Sequence, residues 1–101
     1  MTKYFKKLTI SYYRDHQSGW FKVPVSLIRD LRIENKISPK SFIRKGYAYV
    51  DDKIDARLLF DVANQESIML NVRMHFSNKS SKIRSYEPFT KIDLNHNHNH
   101  I

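Results

Sequence analysis

Residues 4–14 carry Leu8, Ile10 and Tyr12 at alternate positions, with Thr9, Ser11 and Tyr13 between them. A period of two built from such residues predicts a half-buried β-strand. Gln17, Ser18 and Gly19 supply a turn, and 20–23 a second strand that pairs with the first as a hairpin. Val23 precedes Pro24 and is held extended, because the proline ring disfavours helix at the residue before it. A helix then opens at Pro24 or Val25 and runs to about Glu34 and Asn35, with Leu27, Ile28 and Leu31 on its apolar stripe. Residues 41–44 and 47–50 bracket Lys45 and Gly46, a tight hairpin. Asp51 and Asp52 then cap a second helix whose inner face is Ala56, Leu59, Phe60 and Ala63, widened by Leu58 and Val62.

The sharpest alternation comes last. Ile68, Leu70, Val72, Met74 and Phe76 interleave with Met69, Asn71, Arg73 and His75, so a slip of one residue would turn every apolar side chain to water. Beyond Phe76 the chain is polar and basic to Lys91, with Tyr86 and Phe89 as its large anchors. The order β-β-α-β-β-α-β predicts an α+β two-layer sandwich, a largely antiparallel sheet of about five strands with two helices on one face.

Length and composition fit one domain over residues 1–93. The chain has 101 residues, 41% of them hydrophobic, with only two glycines and three prolines to suggest linkers. Asparagine and histidine alternate over residues 95–100, so residues 94–101 read as an affinity tag, which takes three of the five histidines out of consideration. With no cysteine there are no disulfides, thiolate nucleophiles or sulfur-bound zinc. No apolar stretch resembles a secretory signal or a membrane span, so a cytoplasmic protein without a membrane partner is expected.

Charge changes the picture more. Eighteen basic and ten acidic residues give a formal charge of +8. Five of the acids (Asp51, Asp52, Asp55, Asp61 and Glu66) share one stretch, so the remaining surface is more basic than the average, and a two-signed surface follows. Lys40, Arg44 and Lys45 cluster at the second hairpin, and Lys79, Lys82, Arg84 and Tyr86 in the C-terminal segment. Cations neutralise phosphates and aromatic faces stack on bases, which makes these seven the candidate binding residues. Ordinary surface charge, with Tyr86 pinning the tail, explains the same residues structurally. Trp20 reads as a core residue beneath the helices. Arg84, between Ile83 and Tyr86, is also suited to clasp the tail to a carbonyl or an acid.

Catalytic chemistry finds little footing. Asp51, Asp52 and Asp55 would need further ligands to hold a divalent metal, and helix capping accounts for them. His16 lies in a loop, and His75 on the polar side of a strand with no nucleophile elbow in the chain. Two isolated glycines cannot build a phosphate loop. A non-enzymatic protein without cofactor is expected.

Several short patterns then occur in order: Gly19-Trp20-Phe21-Lys22-Val23-Pro24; Lys36-Ile37-Ser38; Gly46 with Tyr49-Val50-Asp51-Asp52 and Asp55; and Ser81-Lys82-Ile83-Arg84-Ser85-Tyr86. Together they resemble a group of small uncharacterised proteins of bacteriophages, plasmids and related mobile elements. Ser18 and Ile54 stand where those proteins often have histidine and cysteine. The resemblance implies an accessory protein of a mobile element that binds and modulates a host or defence protein in a bacterial cytoplasm. The basic charge supports the alternative of a small nucleic-acid-binding protein. Sequestration of a small nucleotide is a third reading, and pairing of exposed strand edges in a homodimer is possible.

Overall fold

The computed structural model describes residues 6–89. Its elements run β1 (Lys6–Arg14), β2 (Gly19–Pro24), α1 (Val25–Asp30), β3 (Phe42–Arg44), β4 (Tyr47–Asp51), α2 (Ala56–Gln65), β5 (Ile68–Phe76), a 3-10 turn (Lys82–Ser85) and β6 (Glu87–Pro88). The fold is α+β, as the alternation predicts, but the expected five strands and their order need correction. A sixth strand follows the last predicted one, in the segment read as irregular. The predicted tag lies outside the described residues, as do Tyr4 and Phe5 at the start of the first expected strand.

All six strands form one sheet in the order β5-β1-β2-β4-β3-β6. Neighbours are antiparallel except β1 and β5, which run parallel over nine residue pairs from Lys6–Ile68 to Arg14–Phe76. α2 makes that pairing possible by returning the chain to the same end of the sheet. The hairpin turn between β3 and β4 has Lys45 and Gly46 at φ 48° and 83°. Two successive positive φ values are those of a type I′ turn, whose twist matches the strands it joins.

One face of the sheet carries both helices and the main core. Ile10, Val23, Ala48 and Val50 from the strands meet Val25, Leu27, Ile28, Leu59 and Ala63, all buried. α1 is shorter than the predicted helix and ends at Asp30. Arg32 takes the left-handed conformation (φ 59°) just past the end, where the Ile33 N–H reaches back to the Ile28 carbonyl (3.2 Å) and the Arg32 N–H to that of Arg29 (3.0 Å). This Schellman closure stops the helix early and turns Ile33 into the core, where it is 2% exposed.

The other face holds a smaller core, and it overturns the expected place of Trp20. The indole is buried, but on the side away from the helices, with Tyr49 and Ile83, and Phe42, Tyr13 and Tyr86 packed around them. Its cover is the C-terminal segment. Phe89 then crosses back into the main core, where it is fully buried and its N–H bonds the Ser41 carbonyl at 2.8 Å.

β5 also departs from expectation. Its alternate apolar residues keep one face, but only the first half of the strand is covered. Met74 and Phe76 remain 63% and 68% exposed. The strand lies at the sheet edge, and α2 covers Ile68, Leu70 and Val72, which are partly buried against the core.

Candidate functional site

Strand alternation and register sort the side chains of the face opposite the helices. β1 contributes Lys7, Thr9, Ser11 and Tyr13; β2 contributes Trp20 and Lys22; β3, Phe42 and Arg44; β4, Tyr47, Tyr49 and Asp51; β5, Met69, Asn71, Arg73 and His75. One row of paired residues reads His75, Tyr13, Trp20, Asp51, and the next Arg73, Ser11, Lys22, Tyr49, Phe42. The C-terminal segment covers the Trp20 end. The opposite end, with Lys7, Thr9, Ser11, Lys22, Asn71, Arg73 and Tyr47, is uncovered among the described residues.

What fixes the cover is Asp15. This buried carboxylate in the β1–β2 turn takes both arms of the Arg84 fork, at 2.8 Å each, and the Ser81 N–H at 2.9 Å; Gln17 and Ser18 N–H groups close its own turn at 2.9 Å. The paired guanidinium above all, and these backbone donors, hold the Asp15 carboxyl far below the usual carboxylate range against the opposing effect of burial. The guanidinium also lies 5.3 Å from the Trp20 ring centre. Arg84 is therefore the clasp of the tail. Ser81 caps the 3-10 turn by accepting from the Ile83 N–H at 3.1 Å, and Tyr86 packs edge-on against Tyr49 at 5.0 Å.

Of the three acids before α2, Asp51 alone makes cap-type bonds, to the N–H groups two and three residues on in the turn that leads into the helix. Asp55 occupies the cap position with no capping bond from its carboxylate. That buried carboxylate instead takes the Ser38 N–H (3.1 Å), the Ser38 hydroxyl (2.8 Å) and the Ser41 hydroxyl (2.5 Å), tying the turn before β3 to the start of α2. Asp51 accepts from the Lys53 and Ile54 N–H groups at 3.0 and 2.8 Å. Asp52 accepts from the Tyr12 hydroxyl at 2.5 Å and pairs with Arg14 at 3.4 Å. Burial, then donation to Asp52, raises the Tyr12 phenol above its ordinary value. The three carboxylates thus serve three separate tasks, and the described residues contain no histidine–carboxylate group fit to hold a metal.

The predicted binding residues divide. Arg44 lies over the Tyr86 ring at 5.0 Å, so these two come together at the rim of the uncovered face. Lys45 follows Arg44 in the turn and is exposed. Lys40 and Arg84 meet across a cavity of about 310 Å3 lined also by Ser18, Trp20, Pro39, Phe42 and Asp51. Its charge is balanced, because Arg84 already holds Asp15. Lys82 is exposed on the 3-10 turn, and Lys79 is exposed in the loop after β5. The sequence reading missed Lys7, Lys22 and Arg73. Lys22 lies 4.3 Å from the Tyr47 ring centre, and Tyr13 stacks on His75 at 4.8 Å and 17°. The signal was available: Lys22 is two residues from Trp20, and Arg73 and His75 alternate with the apolar set of β5.

Among the described residues, the acids on that side are Asp15 and Asp51, and both are buried, the first on Arg84 and backbone donors and the second on backbone donors. Asp30, Asp52, Asp55, Asp61 and Glu66 belong to the helices and their approaches. No helix among the described residues is long and apolar enough to cross a membrane. No protein-family model matches the chain, and no curated protein and no solved structure matches it.

Proposed function

We propose that this chain is a non-enzymatic accessory protein that binds single-stranded nucleic acid on the uncovered half of its sheet. The observation that carries this reading is the sorting of charge between the two faces. Lys7, Lys22, Arg44 and Arg73 share a face on which the acids among the described residues, Asp15 and Asp51, are buried, while most other described acids sit on the helix side. Such a face attracts a polyanion over the whole sheet. Tyr47, 41% exposed and already beside Lys22, and the exposed His75 ring offer faces to unpaired bases. A broad, shallow sheet suits a flexible single strand; α1, with six residues, is too short to serve as a helix laid in a duplex groove.

The test is fluorescence anisotropy with a labelled single-stranded oligonucleotide over a range of salt. Affinity should fall steeply with salt, and the double variant Lys22→Ala/Arg73→Ala should flatten the slope by about 1.4, about 0.7 for each lost phosphate contact. Equal affinity and slope in that variant would remove the proposed face.

The expected protein partner has one observation in its favour, the exposed Met74 and Phe76 on the outer strand. A stoichiometric host protein that stays bound after nuclease treatment would favour that reading.

A further inference from the structure

We propose that β5 is a self-association edge, and that two copies join through it into one continuous twelve-stranded sheet. β5 is a nine-residue edge strand whose outer side has no strand neighbour among the described residues, whereas the opposite edge, β6, is two residues long. Edges of this kind are normally blunted by proline, a lysine or a break in the strand. β5 has neither proline nor lysine.

The strand is complementary to itself. Antiparallel pairing centred on Val72 is the register that uses all nine residues, and it keeps like faces together. Phe76 then lies across from the partner's Ile68 and Met74 across from the partner's Leu70, so the exposed apolar end of one strand meets the end that α2 covers in the other. On the second face His75 meets the partner's Met69, and Arg73 the partner's Asn71. The strand's one formally charged side chain therefore faces a neutral amide, and no two like charges stand directly opposite.

Size is adequate. Nine residues make a contact about 30 Å long, and with a molecular thickness of 20 Å the buried area is at most about 600 Å2 per copy, the lower end of the range for a stable interface. The two-fold axis through Val72 stands perpendicular to the sheet. All four helices fall on one side, and the two basic faces merge on the other. The inference does not depend on what that face binds.

Light scattering coupled to gel filtration, without nucleic acid and on protein lacking residues 94–101, tests it. The expected result is a concentration-dependent dimer that Met74→Lys and Phe76→Lys each convert to monomer with an unchanged circular dichroism spectrum. Both side chains are more than half exposed, so these variants leave the core untouched. The chain has no cysteine, so Val72→Cys gives one thiol per copy. Under mild oxidation Val72→Cys should cross-link quickly, because facing residues in this register fall within disulfide reach. Ile68→Cys, placed opposite Phe76, should not. A monomer at every concentration overturns the inference, whether or not a host protein then occupies the edge. A dimer indifferent to both lysine variants, or cross-linked equally by both cysteines, also overturns it.

Discussion

The face of the sheet away from the helices has two halves built on opposite terms. At one end Trp20, Tyr49 and Ile83 form a second small core, and the chain uses its own C-terminal segment to seal it. At the other end Lys7, Lys22, Arg73 and their polar neighbours are uncovered among the described residues. The covered half shows how a short chain gains a second core without a third layer, with one ion pair holding the cover down. The open half shows where side chains are free for a partner. Gly19-Trp20 and Ser81-x-Ile83-Arg84-x-Tyr86 belong to the first half and are accounted for by packing and the clasp, and the proposed binding rests on the open half.

Substitutions should separate the halves by what they change. The largest effect is expected from Asp15→Ala, which strands the Arg84 fork and the Ser81 N–H. It should cost about 3 kcal/mol in urea unfolding, with a red shift of Trp20 fluorescence as the cover loosens. Lys22→Ala/Arg73→Ala should leave stability within about 0.5 kcal/mol.

Acid should loosen the covered half in the same sense. The folded-state pKa of Asp15 is depressed, so its contribution is complete above the ordinary carboxylate value of about 4 and is lost as pH falls below it. Stability should decline toward low pH with a slope of up to about 1.4 kcal/mol per pH unit from this one group. Asp15→Asn should start less stable and lose that part of the slope, measured by urea midpoints between neutral and acidic pH.

A smaller effect belongs to the open half. Removing one phosphate contact with Arg73→Ala should weaken oligonucleotide binding severalfold, about 1 kcal/mol, at low salt. The smallest distinguishes the open face from the hairpin turn. Lys45→Asn suits the type I′ geometry better and should add a few tenths, about 0.3 kcal/mol, to stability. If the sheet face holds the strand, affinity should be almost unchanged by it.

Local chemistry was the legible part of this molecule. Lys45-Gly46 announced the second hairpin, Pro24 the start of α1, and the isolated arginine at 84 its clasp. Layer assignment was harder. Alternation puts Trp20 opposite Phe21, but nothing local says that the tail, and not a helix, covers the indole. The apolar set of β5 reads as buried because a period of two cannot reveal that a strand lies at an edge with half its length beyond the helix. The partnership of β1 with β5 and of β3 with β6 are long-range choices settled by α2 and by Phe89 reaching the main core. The acids before α2 misled for a related reason: Asp52 and Asp55 spend their carboxylates on residues 40 and 17 positions away, and no helix-start rule includes such partners.

The parallel pairing of β1 and β5 also sets a schedule for the chain during synthesis. Each β1 residue waits for a partner about sixty positions further along, which at about 5–20 residues per second is an interval of several seconds on the ribosome. Until β5 arrives, Leu8 and Ile10 border an unfilled seam in a sheet that β2 and β4 have already begun. The nascent protein thus passes through a stage in which its first strand is the exposed edge, and the final edge appears only when that one is closed.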